Sequence, residues 1–239
     1  MFISFREILM NGKLKNLIAS YTPVKWYLDY KKIQEDKRQL ILRTPYINKI
    51  ESLIDKDTSI ITSNCFAGRI MQDLGMQYNS PTLGLYFWAP DYIEFLSNLH
   101  YYLTEAKIQF VEHSKYPLGD QRRKECRHWY PIGNLGGVEI QFLHYHSEEE
   151  AAEKWYRRAS RVNWDKLLII GMEQNLCTID DIKAFDKLPF EKKIFFSTKD
   201  LPQFKSNCYI SEFKDNGEVG DPYRKADVFY LELVKRLQA

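Results

Sequence analysis

The chain has 239 residues, 44% apolar and 28% charged, the composition of a soluble globular protein rather than a disordered or fibrous one. Lys and Arg exceed Asp and Glu by 34 − 32 = 2, so no overall field marks a nucleic-acid partner. No apolar run approaches the roughly 20 residues that span a bilayer. Arg6 and Glu7 interrupt the first apolar stretch, so no signal-peptide core is read and a cytoplasmic location is expected.

The first fifty residues are basic, ten Lys or Arg against four Asp or Glu. Thr22-Pro23 pairs a cap residue with a proline at the first helical position and predicts a helix to about Lys37. Thr44-Pro45 repeats that signal, and Tyr46, Ile47, Ile50, Leu53 and Ile54 recur with a helical period. Thr58–Thr62 reads as a short buried strand that runs into the small polar turn Ser63–Gly68. A helix follows and closes at Gly75. Leu83–Trp88 is a second apolar run, and Ala89-Pro90-Asp91 opens an amphipathic helix through Leu103.

Residues 112–137 read as an irregular connection holding the basic cluster Arg122, Arg123, Lys124 and Arg127. Val138–Tyr145 alternates as a strand, and Ser147–Glu150 reads as a capping box for the helix beyond. Lys166–Met172 is a buried strand, Thr178 and Asp181 cap another helix, and Lys192–Ser197 is the next strand. Cys208–Phe213 reads as a short strand, and Asp221-Pro222 as the start of a final helix. The expected fold class is therefore α/β, with a predominantly parallel or mixed sheet, flanking helices and a βαβαβ unit in the C-terminal half. The division read from this rhythm is residues 1–130, with a basic helical extension over about 1–57, and residues 131–239, which can also form one continuous domain.

The best candidate site is the turn Ser63–Gly68. A strand end that meets a helix start is where open α/β sheets bind anions. Asn64 offers a donor and an acceptor, Gly68 allows close approach, and Arg69 adds a cation, so these three are assigned to a phosphate-bearing ligand. Cys65 in the same turn reads as a buried structural thiol rather than a nucleophile. Cys65, Cys126, Cys177 and Cys208 stand too far apart for a thiolate zinc site, and no disulfide is expected. His144 and His146 share one face of the expected strand but lack a third ligand, so no metal is assigned. His144, Asp91 and Glu173 are the candidate acid–base or orienting groups. Gly133–Gly137 precedes a strand rather than following one, which rules out a dinucleotide fingerprint.

Three stretches together resemble a bacterial family catalogued as a domain of unknown function, whose members are often labelled exopolysaccharide biosynthesis proteins. They are Ser63–Gly68; Gln77–Phe87 with Asp91-Tyr92-Ile93; and Phe142–Tyr145 before Ser147, with Arg161–Asp165. The likeness covers roughly residues 58–198. Phe66-Ala67-Gly68 departs from the family's tryptophan and two glycines, which argues against tight closure on a phosphate. The resemblance implies an α/β fold and a role near surface-polysaccharide synthesis, without naming a reaction.

Two readings follow. The first is a glycosyl- or acyltransferase of exopolysaccharide or capsule biosynthesis, acting on an activated donor and a saccharide. His144 is then the general base, and Asp91 or Glu173 orients the acceptor. The alternative is a non-catalytic nucleotide- or saccharide-binding protein of the same pathway. No cofactor, nucleic-acid partner or membrane span is expected, and self-association is left open.

Overall fold

The computed structural model describes residues 22–126 and 128–238. The basic stretch before Thr22, and Arg127 of the basic cluster, lie outside them. The chain forms two units, one ending at Pro45 and one beginning at Tyr46. The two expected N-terminal helices are one, α1 (Thr22–Leu53), with Pro45 inside it. Pro45 contributes no amide to the ladder, and the Thr44 hydroxyl donates to the Leu40 carbonyl at 2.7 Å.

The unit from Tyr46 onward is a mixed α/β body. A parallel sheet holds β1 (Ser59–Thr62), β6 (Leu167–Met172), β7 (Lys193–Ser197) and β8 (Asn207–Tyr209), in the order β1-β6-β7-β8. An antiparallel sheet holds β2 (Tyr86–Phe87), β3 (Ile108–Val111), β4 (Ile132–Leu135) and β5 (Val138–Gln141), in the order β2-β5-β4-β3. Both sheets draw strands from each side of residue 130.

The helices of this body are α2 (Phe66–Asp73), α3 (Ala89–Ser97), α4 (Leu99–Thr104), α5 (Pro117–Glu125), α6 (Glu148–Ala159), α7 (Ile179–Lys187) and α8 (Ala226–Gln238). Side chains of β6 alternate between two cores. Leu168, Ile170 and Met172 pack with α2, α8 and the end of α1, while Ile169 faces α3, α6, α7 and the antiparallel sheet. Both faces of the parallel sheet are thus covered, which accounts for its unbroken apolar strands. Gly171 is required where the faces are tightest, since a Cβ there would lie 2.3 Å from the Phe195 ring.

The expected βαβαβ order is present along β5-α6-β6-α7-β7, but its strands are split. β6 and β7 are parallel neighbours, whereas β5 pairs antiparallel with β2 and β4. Strand β5 ends at Gln141 rather than Tyr145, because His144 turns to donate its amide to the Gly84 carbonyl at 2.9 Å. The stretch read as irregular contains α5 and β4, and β4 joins β5 through Gly136 and Gly137, at φ of 61° and 100°. Two successive positive-φ residues make the tight hairpin turn that suits strand twist. The Thr178–Asp181 capping box is complete. At Ser147 only half forms, since the Glu150 carboxylate reaches past Ser147 to accept from the His146 amide at 2.9 Å. The last helix begins at Ala226, leaving Asp221–Arg224 as a turn over α2.

Candidate functional site

The turn after β1 lies at the carboxyl edge of the parallel sheet, as its strand–turn–helix order requires. Its leading amides are satisfied locally. Asn64 Oδ1 accepts from the Phe66 amide at 3.0 Å, Thr62 Oγ1 from Ala67 at 3.3 Å, and the Cys65 carbonyl from Gly68 at 3.1 Å. Asn64 Nδ2 donates to Gln174 Oε1 at 2.8 Å, and Gln174 Nε2 donates to the Val219 and Gly220 carbonyls. Asn64 therefore joins β1, β6 and the loop before α8. A ligand here would meet the helix dipole and side chains rather than free amides.

Two cations near this turn lie over tyrosine rings, and the two rings, Tyr223 and Tyr78, interact electrostatically. The Arg69 guanidinium lies 4.2 Å from the centre of the Tyr223 ring, and its Nε is buried without a hydrogen-bond partner. Gly68 leaves room for Tyr223, whose hydroxyl would stand 3.3 Å from a Cβ at that position. The Arg158 guanidinium lies 5.6 Å from the Tyr78 ring centre and donates to the Tyr145 hydroxyl at 2.6 Å. The Tyr145 hydroxyl in turn donates to the Leu83 carbonyl at 2.5 Å. Gly84, at φ 74°, packs against Tyr145 and His144. A Cβ on Gly84 would stand 3.2 Å from the Tyr145 ring and 3.5 Å from His144.

Two titratable groups lie beside these residues. The Cys65 thiol donates to the Leu85 carbonyl at 3.5 Å, and burial, with Asp221 nearby, pushes its pKa up to about 12. The raised pKa disfavours the thiolate, the form a cysteine nucleophile requires. His144 keeps an exposed edge, and burial of the rest of the ring, then His128, lowers its pKa. A neutral imidazole is the form that can accept a proton. The expected strand-face pairing of His144 with His146 does not occur, because neither belongs to β5. Among the described residues, no group of three or more His, Cys, Asp or Glu is arranged to hold a metal ion.

The other two candidates are held elsewhere. Glu173, 2% exposed at the end of β6, accepts from the Thr198 amide and hydroxyl at 2.7 and 2.9 Å and pairs with Lys199. Asp91, 4% exposed in α3, accepts from Lys115 Nζ at 2.6 Å and the Glu139 amide at 3.1 Å. Burial raises the Asp91 pKa against the pull of Lys115. Beside Asp91, the buried Glu139 takes four donors: Trp88 Nε1 at 3.1 Å, Ser114 Oγ at 2.5 Å, Gln141 Nε2 at 2.6 Å and the Lys115 amide at 2.7 Å. Arg122 turns inward, donating to Asn175 Oδ1 at 2.6 Å with its guanidinium 4.8 Å from the Trp88 ring centre.

Of the six candidates, then, Asn64 lies in the turn, Gly68 and Arg69 in the first turns of α2, and His144 beside Gly84. Glu173 follows the adjacent strand β6 and bonds to Thr198 beyond β7, and Asp91, on α3, bonds to the Glu139 amide of the antiparallel sheet. Sequence reasoning missed Tyr78, Tyr145, Arg158 and Tyr223, which nothing in the linear order brings together. It also missed Glu139 and Gln141. Their alternation with Val138, Ile140 and Phe142 was visible, but such positions normally face solvent.

Residues 36–238 match the family described as a domain of unknown function, DUF1919. The chain belongs to this family. The match extends on both sides of the 58–198 range marked by the motifs, taking in most of the tail and part of α1. An uncharacterised protein of Haemophilus influenzae (strain ATCC 51907 / DSM 11121 / KW20 / Rd) is 38% identical over 178 residues, covering 74% of this chain and 80% of that protein. Neither description names an activity or substrate. Among the described residues, no helix is long and apolar enough to cross a membrane.

Proposed function

We propose that this DUF1919 member binds an anionic, ring-bearing small molecule beside Arg69 and Arg158, a nucleoside diphosphate sugar or a phosphorylated saccharide, in surface-polysaccharide synthesis. The carrying observation is the pair of guanidinium–tyrosine contacts, Arg69 with Tyr223 and Arg158 with Tyr78, the first with a buried and unpartnered Arg69 Nε. Guanidinium groups match phosphate oxygens in fixed geometry, and tyrosine faces suit a base or sugar ring. The polysaccharide context comes from the motif resemblance.

Glycosyl or acyl transfer is the second reading, favoured by the lowered pKa of His144 beside Gly84. Asp91 and Glu173, engaged with Lys115 and Lys199, then act as scaffold rather than as acceptor-orienting groups. The test is a thermal-shift series with nucleoside diphosphates, nucleotide sugars and acyl-coenzyme A. A ligand at about 100 times its Kd should raise the midpoint by roughly 5–10 °C, and Arg69→Ala or Arg158→Ala should abolish the shift. No shift with any member of the series overturns this assignment. Release of nucleoside diphosphate on adding a saccharide acceptor, lost in His144→Ala, would convert binder to transferase.

A further inference from the structure

The amino edge of the parallel sheet, at the opposite end of its strands from the Ser63–Gly68 turn, opens into a cavity of about 550 Å3. It is lined by Thr58, Lys166 and Lys192, which lead into β1, β6 and β7, and by Leu53 and Leu237 in the last turns of α1 and α8. That volume falls within the roughly 300–1,000 Å3 of small-molecule sites. The walls are apolar, formed by the partly buried Leu53, Leu167, Phe190 and Leu237, with Trp164, 39% exposed, beside them.

The charged groups at this cavity do not balance. Asp55, Asp165 and Glu191 line it together with Lys166 and Lys192. Lys166 Nζ is already shared between Asp55 at 2.9 Å and Asp57 at 3.1 Å. The bond and charge of Lys166, and less strongly the charge of Lys192, hold the Asp55 carboxyl below its usual range. Among the described residues, the carboxylates of Asp165 and Glu191 make no hydrogen bond or ion pair. With Asp57 counted, four carboxylates stand against two ammonium groups, a surplus of 4 − 2 = 2 negative charges.

Neighbouring cations do not make up the difference. Lys56 pairs with Glu51 at 2.9 Å, Lys235 with Glu232 at 2.7 Å, and Arg236 donates to the Lys205 and Asn207 carbonyls. Both α1 and α8 end here, and each brings the negative end of its dipole. The complementary ligand is an apolar chain with a positive charge at each end. Its ammonium groups donate to carboxylates, its methylenes cover the leucine and phenylalanine walls, and an indole face attracts a cation.

We propose that the cavity at the amino edge of the parallel sheet binds a linear aliphatic diamine or polyamine, at a site separate from Arg69. Saturation-transfer NMR on the full chain tests it with putrescine, cadaverine and spermidine at low-millimolar concentration and about 150 mM salt, where long-range surface attraction is screened. Pentylamine, pentanediol and glutarate serve as comparisons that lack one charge, both charges, or the sign. The diamines should bind the wild type and Arg69→Ala alike. Binding should weaken at least tenfold in the double variant Asp165→Asn/Glu191→Gln and in Trp164→Ala. All three positions are exposed, so an unchanged urea midpoint should accompany the loss. Lys192→Gln, which removes a competing cation, should tighten binding. The proposal is overturned if no diamine binds the wild type, or if the double variant binds as the wild type does. It is equally overturned if pentylamine, pentanediol or glutarate binds as well as cadaverine, because the surplus charge would then select nothing. Loss of nucleotide binding in Arg69→Ala with diamine binding intact would show the two sites to be independent.

Discussion

The two sheets of this protein deal with buried polar groups in opposite ways. At the carboxyl edge of the parallel sheet, Asn64, Gln174, Glu173 and Thr198 bond to one another or to backbone, and this scaffold is complete. On the second face of the antiparallel sheet, Glu139 gathers four donors, and Gln141 Oε1 beside it has no hydrogen-bond partner.

The largest effect should come from emptying the second network. Glu139→Ala strands the buried Trp88 and Gln141 donors together with the half-buried donors of Ser114 and Lys115, and should cost about 3–5 kcal/mol, as removal of one partner of a buried charged network does. Urea unfolding with an unchanged m-value checks it. The parallel sheet should be most sensitive to volume instead. Gly171→Ala drives a methyl into the Phe195 ring and should cost about 1–3 kcal/mol, with a smaller loss if that ring can shift. Glu173→Gln keeps the Thr198 contacts in shape but loses the Lys199 charge pair. Because Lys199 is 43% exposed, solvent screens that pair, and the cost should not exceed about 1 kcal/mol. A loss equal to that of the Glu139 variant would erase the contrast between the sheets.

The smallest effect is one of pH. The Cys65 thiol is neutral in the fold up to about 12, whereas an unfolded thiol ionises near 9.0. Its contribution to stability is therefore complete below pH 9 and declines as pH rises from there toward 12. Urea midpoints across that alkaline window should fall more steeply in the wild type than in Cys65→Ala. Parallel slopes would show that the thiol titrates as it does in the unfolded chain.

The amino-acid sequence by itself determined the local pieces. A β-branched strand, a small polar turn and a helix closed by Gly75 follow from the residues 58–75, because propensity, capping and chain reversal are set by near neighbours. The Thr178–Asp181 capping box and the apolar strands at 167–172 and 193–197 were legible for the same reason. Only the tertiary structure decided which strands share a sheet. Val138–Gln141 alternates as a strand in either arrangement, but pairing with Tyr86-Phe87 places it in the antiparallel sheet and turns Glu139 and Gln141 inward. It likewise separated Asp91 and Glu173 from Asn64, and set Arg158 against Tyr78 and Tyr145, and Tyr223 against Arg69. Those contacts join residues far apart in the chain, and hydrophobic periodicity carries no information about which distant partner completes a polar group.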